Sequence, residues 1–429
     1  MKQIQASVGV VAVLVAALWL VCPRVSVRGQ ASATSAVHLV DPRTESSTQL
    51  LADPATAAWQ YFAYVNWPEL AGNRGVPDPH RAIGDPGPTV WESFKNISEV
   101  FVKDGARPVP WEIDDEVPVV PPQPEQATAA QLAALGPVDS PWIHYLAEQV
   151  MIDGQDICDG QSEIVEYDVR GDRPWFDYVA NNPSGYPLYN MQGQQAALAD
   201  PKFAFDFPRD AIEIKASWRI MEPGQDRSRY WTAIGVYQDN QGQFHQEVIG
   251  LTGLHIISKV LPKWFWMTFE QVDNATATYK YFLQQKSAPV GTNPNYNSSL
   301  DPVNQEWQKA LSGTKWQYYA LMGTQTAMTD AANRPTLLGN TQMETYFQQN
   351  SSCMSCHLLT SIGPAKNPRL QVFGNNLNPY VGAIDFNTIA NQQYPGQTFK
   401  EMDYTWSFRN AQYKPVLRPA ATRKKTQQR

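Results

Sequence analysis

Strict alternation of apolar and polar side chains runs through Ala211-Ile212-Glu213-Ile214-Lys215-Ala216-Ser217-Trp218. Because successive side chains of a β-strand point to opposite faces of a sheet, this period of two predicts a strand with one apolar and one polar face. Glu213 and Lys215 share the polar face, where they could act as an acid–base couple. Neighbours at this spacing on an exposed strand face are more commonly a solvated charge pair.

The residues that follow predict more strands. Residues 230–238 are rich in β-branched and aromatic side chains, and Asp239-Asn240-Gln241-Gly242 is typical of a hairpin turn that leads into a strand over 243–252. Further strands are predicted over 255–260 and 263–269. Strands separated by a turn about every ten residues indicate an antiparallel sheet or sandwich. The lack of a regular repeat disfavours a propeller.

Helices are predicted on both sides of this β-rich block. In residues 54–66 apolar side chains recur at helical spacing behind an Asp53-Pro54 cap. The other helical patterns cover residues 90–102, 127–135, 141–151, 302–322 and 341–349. The predicted fold class is α+β, with a β-rich N-terminal region built as an antiparallel sheet or sandwich, followed by a small helical segment at the C-terminus.

Composition divides the 429-residue chain into five parts. The length suits two domains or one large one, and six prolines between residues 106 and 124 indicate an extended linker. The predicted parts are an export signal (1–33), a helical and Pro-rich segment (34–125), a β-rich domain containing tryptophans (126–335), a C-terminal helical segment (336–413) and a disordered basic tail (414–429). The net charge of −7 argues against a nucleic-acid partner.

Residues 1–33 predict a cleaved export signal. An apolar run from Val8 to Cys22 follows Lys2, and Ala31-Ser32-Ala33 is a small-x-small cleavage site. The run is shorter than the roughly twenty residues that span a bilayer, so a retained N-terminal membrane anchor is the less favoured alternative. The mature chain is expected to lack a transmembrane span and to reside in the periplasm.

Near the C-terminal end lies Cys353-Met354-Ser355-Cys356-His357, the C-x-x-C-H pattern of covalent haem attachment. In this chemistry the two thiols add across the vinyl groups of the ring, and the adjacent His takes an axial position on the iron. The pattern predicts one covalently bound haem c, with Cys353 and Cys356 as its thioether attachments and His357 as the proximal iron ligand. Such attachment takes place outside the cytoplasmic membrane, which agrees with the predicted export.

Other uses of a Cys-x-x-Cys pair fit the sequence less well. A zinc site needs a second pair of soft ligands, and the two remaining cysteines, Cys22 and Cys158, are far apart in the sequence. A thioredoxin-like pair is expected in a βαβ context, which the flanking residues do not offer. Acidic neighbours would raise the pKa of Cys158, which predicts an inert thiol.

The surroundings of the motif resemble the start of a class I cytochrome c: a helix, the C-x-x-C-H run, and then a loop that reaches Ile362-Gly363-Pro364. In that family a Gly-Pro at a similar distance supplies a carbonyl that accepts the axial His N–H, so the resemblance implies this part for Pro364. Residues 340–346 and 350–357, with 264–274 upstream, also look similar to a group of exported bacterial mono-haem proteins. The resemblance implies a cytochrome c-like haem segment over 336–413.

The sixth iron ligand separates electron transfer from catalysis. Class I cytochromes use a Met some tens of residues after the motif, and Met402 is the only Met there; a Met/His pair stabilises reduced iron. His255, flanked by apolar residues, is the rival candidate, although a core His bonded to the backbone is its simpler explanation. An open sixth position is the third alternative and would permit catalysis or gas binding.

The sequence therefore predicts an exported mono-haem cytochrome that transfers single electrons with periplasmic or membrane redox proteins through small, transient interfaces. One alternative is a haem enzyme, or a gas or redox sensor, with an open distal site facing the β-rich domain. Another makes that domain a module for a substrate or partner, with the haem as redox outlet. Trp264, Trp266 and Phe269 could line such a cleft, but at strand spacing they are more commonly core. No residue is assigned as catalytic, and an electron carrier is favoured over a catalyst.

Overall fold

The structure is a computed structural model. It describes residues 37–113, 136–146, 148–149, 151–152, 155–156, 165–221, 224–238, 244–276, 278–281, 286–289, 293, 295–344, 348–372 and 380–415. The predictions made for the export signal, Cys22, the helix over 127–135, Cys158, the hairpin turn over 239–242 and the tail beyond residue 415 lie outside the described residues.

The described chain combines short helices with a mostly antiparallel sheet. Its helices are α1 (Ser47–Ala52), α2 (Pro54–Val65), α3 (Ile97–Val100), α4 (Arg173–Ala180), α5 (Met191–Ala199), α6 (Asp301–Ala310), α7 (Cys353–Leu358) and α8 (Phe386–Gln393). Its strands are β1 (Lys95–Asn96), β2 (Ile143–Leu146), β3 (Glu148–Gln149), β4 (Met151–Ile152), β5 (Gln155–Asp156), β6 (Val165–Gly171), β7 (Ile212–Ile220), β8 (Thr232–Gln238), β9 (Phe244–Ser258), β10 (Phe265–Gln271), β11 (Thr278–Tyr281), β12 (Lys286–Pro289), β13 (Tyr319–Gln325), β14 (Ser361–Ile362) and β15 (Lys400–Glu401).

Nine of these strands form one sheet. Its main path runs β1-β6-β7-β9-β10-β13, with β3 added on β6 and β8 added on β9. Only the pairing of β2 with β8 is parallel among the described pairs of this sheet. The strand predicted over 211–218 is β7, and those predicted over 230–269 are β8, β9 and β10. A mixed helix-and-sheet fold with mostly antiparallel pairing is therefore confirmed.

The apolar face of the sheet packs against α2. Asp53 caps the first turn of this helix, as its sequence predicts. The ring of Phe62 lies 4.4 Å from that of Phe269 on β10, measured between centroids, and the hydroxyl of Ser258 on β9 donates to the Tyr61 hydroxyl at 3.0 Å. Burial of these aromatic rings, worth roughly 1.5–3 kcal/mol for each large apolar side chain, holds the helix on the sheet.

The polar face of the same strands is buried as well. Glu213 is 5% exposed, Lys215 lies directly opposite His255 of β9, and His255 in turn lies opposite Thr268 of β10. The side-chain amide of Asn340 donates to Thr268 Oγ1 at 3.0 Å. The expected solvated face is therefore wrong, because a segment more than seventy residues further along the chain folds back over it.

Segments predicted to be helical contain strands or shorter helices instead. Within residues 141–151 the described strand β2 pairs with β8. Within residues 302–322 helix α6 ends at Ala310, and β13 begins at Tyr319 and pairs with β10. The helix predicted over 90–102 is limited to α3, and residues 341–344 form a turn. Within residues 141–151 and 302–322 strand pairing outweighs a local helical pattern that is only a weak preference.

One hydrophobic core joins segments that the sequence assigns to different parts. Trp59, Trp218, Leu338 and Met402 all belong to it. The C-terminal segment therefore packs on the sheet through shared apolar contacts in the described part of the chain. None of the helices in that part is long and apolar enough to cross a membrane.

Candidate functional site

The C-x-x-C-H motif forms helix α7. Cys353 and Cys356 are three residues apart on this helix and therefore lie on the same face. Both are free thiols and half-buried. Burial raises the pKa of Cys356 to about 12 and lifts the pKa of Cys353 well above its usual value. Both side chains are thus un-ionised, unlike the reactive thiolates of thioredoxin-type pairs.

Hydrogen bonds fix α7 against the edge of the sheet. Gln325 of β13 accepts the Met354 N–H at 3.0 Å and donates through its amide to the Ser352 hydroxyl at 2.9 Å. On the other side, the Ser355 hydroxyl donates to the carbonyl of Gly382 at 2.8 Å. The helix that carries the two thiols is therefore held by groups from both flanking segments.

The imidazole of His357 has a defined orientation. Its Nδ1 lies 2.8 Å from the carbonyl oxygen of Tyr404. Because a carbonyl only accepts hydrogen bonds, Nδ1 carries the proton and Nε2 keeps its lone pair. Burial lowers the pKa of His357 to about 4, so the ring is neutral. A neutral imidazole with a free Nε2 is the form that ligates a metal.

Two tryptophans flank this imidazole. The ring of Trp266 meets it edge-on with centroids 4.6 Å apart, and the ring of Trp406 lies 5.7 Å away. The guanidinium carbon of Arg409 lies over the Trp406 ring, 4.7 Å from the ring centroid. Trp266 is only 3% exposed, as expected for a core residue, yet it also contacts the motif. Aromatic rings therefore contact the candidate iron ligand from two residues of different segments.

Tyr404 provides the contact that the resemblance assigns to Pro364. The carbonyl of Pro364 accepts the N–H of Asn367 at 2.8 Å, whereas the carbonyl beside the His357 ring is that of Tyr404. Sequence reasoning missed Tyr404 because the group involved is a backbone carbonyl, which every residue carries. Only the fold of the chain shows that the carbonyl of Tyr404, and not that of another residue, lies beside the His357 ring.

His255 lies near the motif on the covered polar face of the sheet. Its Nε2 is 3.2 Å from a carboxylate oxygen of Glu344, so this nitrogen has a side-chain partner where a backbone partner was the simpler expectation. Burial has the largest effect on the pKa of His357 and lowers it, whereas the hydrogen bond to Tyr404 raises it. Smaller electrostatic effects come from Lys215 and His255, which lower this pKa, and from Glu344, which raises it. These three groups are therefore within electrostatic range of the candidate iron ligand.

Met402 faces other partners. Its backbone N–H donates to the carbonyl of Thr360 at 2.9 Å, which keeps it close to the motif along the β14–β15 pair. Its side chain is fully buried, and its sulfur lies 3.3 Å from Nη1 of Arg369. The same guanidinium contacts the sulfur of Met191 on α5 at 3.3 Å. The two candidate sixth ligands therefore have different surroundings. His255 contacts Glu344 on the polar face of the sheet, whereas the sulfur of Met402 contacts Arg369.

A surface groove of about 770 Å³ lies beside α4 and the segment that follows α5. Its lining includes Asp177, Tyr178, Asp200, Phe203 and Asp206. None of the predicted haem or iron residues lines it. The groove is therefore separate from the motif.

The residues of α7 fit a covalently attached haem. They supply two thiols on one face of a helix and an imidazole whose protonation leaves one nitrogen available. Among the described residues, no group of three or more His, Cys, Asp or Glu side chains is arranged to hold a metal ion.

In comparisons with known proteins, no family model, no curated protein and no solved structure matches the chain.

Proposed function

We propose that this chain is an exported c-type cytochrome with one covalently bound haem that transfers single electrons between redox proteins of the periplasm or membrane. The observation that carries the proposal is the hydrogen bond between His357 Nδ1 and the Tyr404 carbonyl, next to Cys353 and Cys356 on the same helix. In metal sites an imidazole normally donates its second N–H to such an acceptor, which fixes the ring and raises its basicity.

In this proposal Cys353 and Cys356 hold the ring through thioether bonds, and His357 provides Nε2 to the iron. When bound, the haem supplies an iron that accepts and releases one electron. The protein positions the axial imidazole, keeps it neutral by burial and surrounds it with Trp266 and Trp406. Residues 336–413 act as a cytochrome c-like haem segment that rests on the β-rich part of the chain.

Export supports the same proposal from the sequence. Residues 1–33 have the features of a cleaved signal, and covalent haem attachment requires delivery outside the cytoplasmic membrane. The electron partners are redox proteins that dock through small, transient interfaces.

The His255–Glu344 contact favours a second candidate function. A His255 that stays on Glu344 would leave the sixth iron position open, and the polar sheet face would then form a distal wall. The chain would in that case be a haem enzyme or a sensor of gas or redox state. Carbon monoxide binding to the reduced protein separates this candidate from the electron carrier.

The test is expression of the full chain in bacteria that carry a cytochrome c maturation system. We expect a pyridine haemochrome spectrum typical of two thioether bonds and haem that stays with the denatured polypeptide. Cys353→Ser combined with Cys356→Ser should abolish covalent haem, whereas the control Cys158→Ser should retain it. Covalent haem in the double variant would overturn the proposal, and so would an uncleaved parent chain that remains in the cytosolic fraction.

A further inference from the structure

Two consecutive residues next to the candidate haem site have left-handed backbones. Asp403 has φ of 47° and Tyr404 has φ of 63°. This conformation is uncommon for residues other than glycine and is unfavourable at each position where the surroundings impose it. Such a turn persists only where other contacts hold it, and strained turns of this kind cluster at functional sites.

The contacts that hold the turn converge on Asp403. Its carboxylate accepts two hydrogen bonds from the Lys259 ammonium, at 2.6 and 2.7 Å, and one from the Phe207 N–H at 2.8 Å. Its carbonyl accepts the Trp264 indole N–H at 2.9 Å. Lys259 and Asp403 are each about 6% exposed at the side chain, so this ion pair is shielded from water and salt.

The next residue, Tyr404, directs its carbonyl oxygen to His357 Nδ1. We infer that the Lys259–Asp403 ion pair is a positioning device that holds the strained turn so that the Tyr404 carbonyl fixes the tautomer and ring orientation of His357. Lys259 and Asp403 touch neither the imidazole nor the thiols, and they act through the backbone. The assignment of His357 as an iron ligand rests on the proposed function, but the effect on its tautomer does not.

The consequence for a bound haem is a change in reduction potential. A hydrogen bond from Nδ1 makes the imidazole a stronger electron donor, which stabilises the oxidised iron and lowers the potential. If the turn relaxes, the bond weakens and the potential rises. The ion pair therefore tunes the site in addition to stabilising the fold.

The test uses the full chain in its haem-loaded and haem-free forms, with Asp403→Asn as the main variant. Asn adopts a left-handed backbone at least as readily as Asp, so this change removes the charge and leaves the turn conformation accessible. The matched control is Asp206→Asn, which removes the other carboxylate on Lys259, at 2.9 Å, from a side chain that is 78% exposed.

Nitrogen-15 NMR of the histidines in the haem-free chain reports the tautomer of His357, assigned by comparison with His357→Gln. We expect a single Nδ1–H tautomer in the parent and in Asp206→Asn, and a mixture with the Nε2–H form in Asp403→Asn. In the haem-loaded chain the midpoint potential should rise in Asp403→Asn and stay at the parent value in Asp206→Asn.

Parent-like tautomer and potential in Asp403→Asn would overturn the inference. If that variant does not fold, Lys259→Gln, which removes the partner charge, should show the same two changes, and parent-like values there would have the same meaning. A parent chain that carries no haem would refute the proposed function, while the haem-free NMR measurement would still decide the role of the ion pair.

Discussion

His255 Nε2 lies 3.2 Å from the carboxylate of Glu344. This contact holds the imidazole on a sheet face that also carries Lys215, directly opposite it, and Trp266, which touches His357. Met402 has its sulfur on Arg369 instead. Because His255 and Met402 contact different residues, a substitution at one of them leaves the contacts of the other in place. The effect of each substitution on the haem spectrum can therefore be assigned to that residue.

In the electron-carrier proposal a side chain fills the sixth iron position, which requires His255 to leave Glu344 for the iron. We therefore expect the haem spectrum to depend on His255 and not on Met402, because the Met402 sulfur is held on Arg369. Met402→Leu conserves volume in a fully buried site and should leave the oxidised and reduced spectra unchanged, at a stability cost below about 1.5 kcal/mol. His255→Ala should make the iron high-spin and able to bind carbon monoxide. The measurement is optical spectroscopy of oxidised, reduced and carbon monoxide-treated protein.

Two results would contradict this expectation. A low-spin spectrum that survives in His255→Ala but is lost in Met402→Leu would assign the sixth ligand to Met402. A parent protein that is already high-spin and binds carbon monoxide would mean an open position, and the enzyme or sensor candidate would then take precedence.

Removal of the buried His144 should destabilise the fold strongly. Its Nδ1 lies 2.6 Å from Asp168, and its Nε2 lies 3.0 Å from Glu92, with all three side chains fully buried. His144→Ala leaves two buried carboxylates without their shared partner, which typically costs about 3–5 kcal/mol. Urea unfolding should show this loss, and the control His80→Ala, at an exposed position, should change stability by less than about 0.5 kcal/mol. Equal losses of unfolding free energy in His144→Ala and His80→Ala would refute a structural role for His144.

The sequence predicted the strands between residues 211 and 269 well, but it predicted several helices where strands or turns form and did not indicate which segments cover the sheet. The alternation in residues 211–218 correctly predicts β7, because side-chain periodicity is a property of the strand itself. Nothing in that stretch indicates that Asn340 would cover its polar face. His144 was placed on a predicted helix for the same reason, since the carboxylates that bury it come from distant segments. The spacing of the cysteines predicts the candidate site, whereas the position of the Tyr404 carbonyl beside His357 depends on the fold.

The stabilising contribution of His144 should decrease at alkaline pH. Burial opposes its protonation, but the hydrogen bonds to Asp168 and Glu92 outweigh burial, so the pKa of His144 is raised above 6.5. A raised folded-state pKa gives stability that is fully present below the unfolded pKa and is lost as the pH rises through the folded pKa. The difference in unfolding free energy between the parent and His144→Gln should therefore shrink as the pH rises above about 6.5. A difference that stays constant to pH 10 would show that the ring is neutral in the fold.

Arg369 should be a major stabilising residue of the C-terminal segment. Its guanidinium donates to the Ser361 carbonyl, the Gln194 side chain and the Phe408 carbonyl, each at 2.7 Å. Burial, followed by the nearby charge of Arg409, lowers the pKa of Arg369 to about 9, so it remains charged at neutral pH. A lysine ammonium cannot match this planar fork of donors.

Arg369→Lys is therefore expected to cost about 2–4 kcal/mol, since each hydrogen bond to a charged group contributes about 1.5–3 kcal/mol and some are retained. The control is Arg334→Lys, whose side chain is 78% exposed and pairs with Asp330; it should cost less than about 1 kcal/mol. Urea unfolding of both variants at pH 7 measures the difference. Similar costs would mean that the guanidinium contacts contribute no more to stability than a surface ion pair.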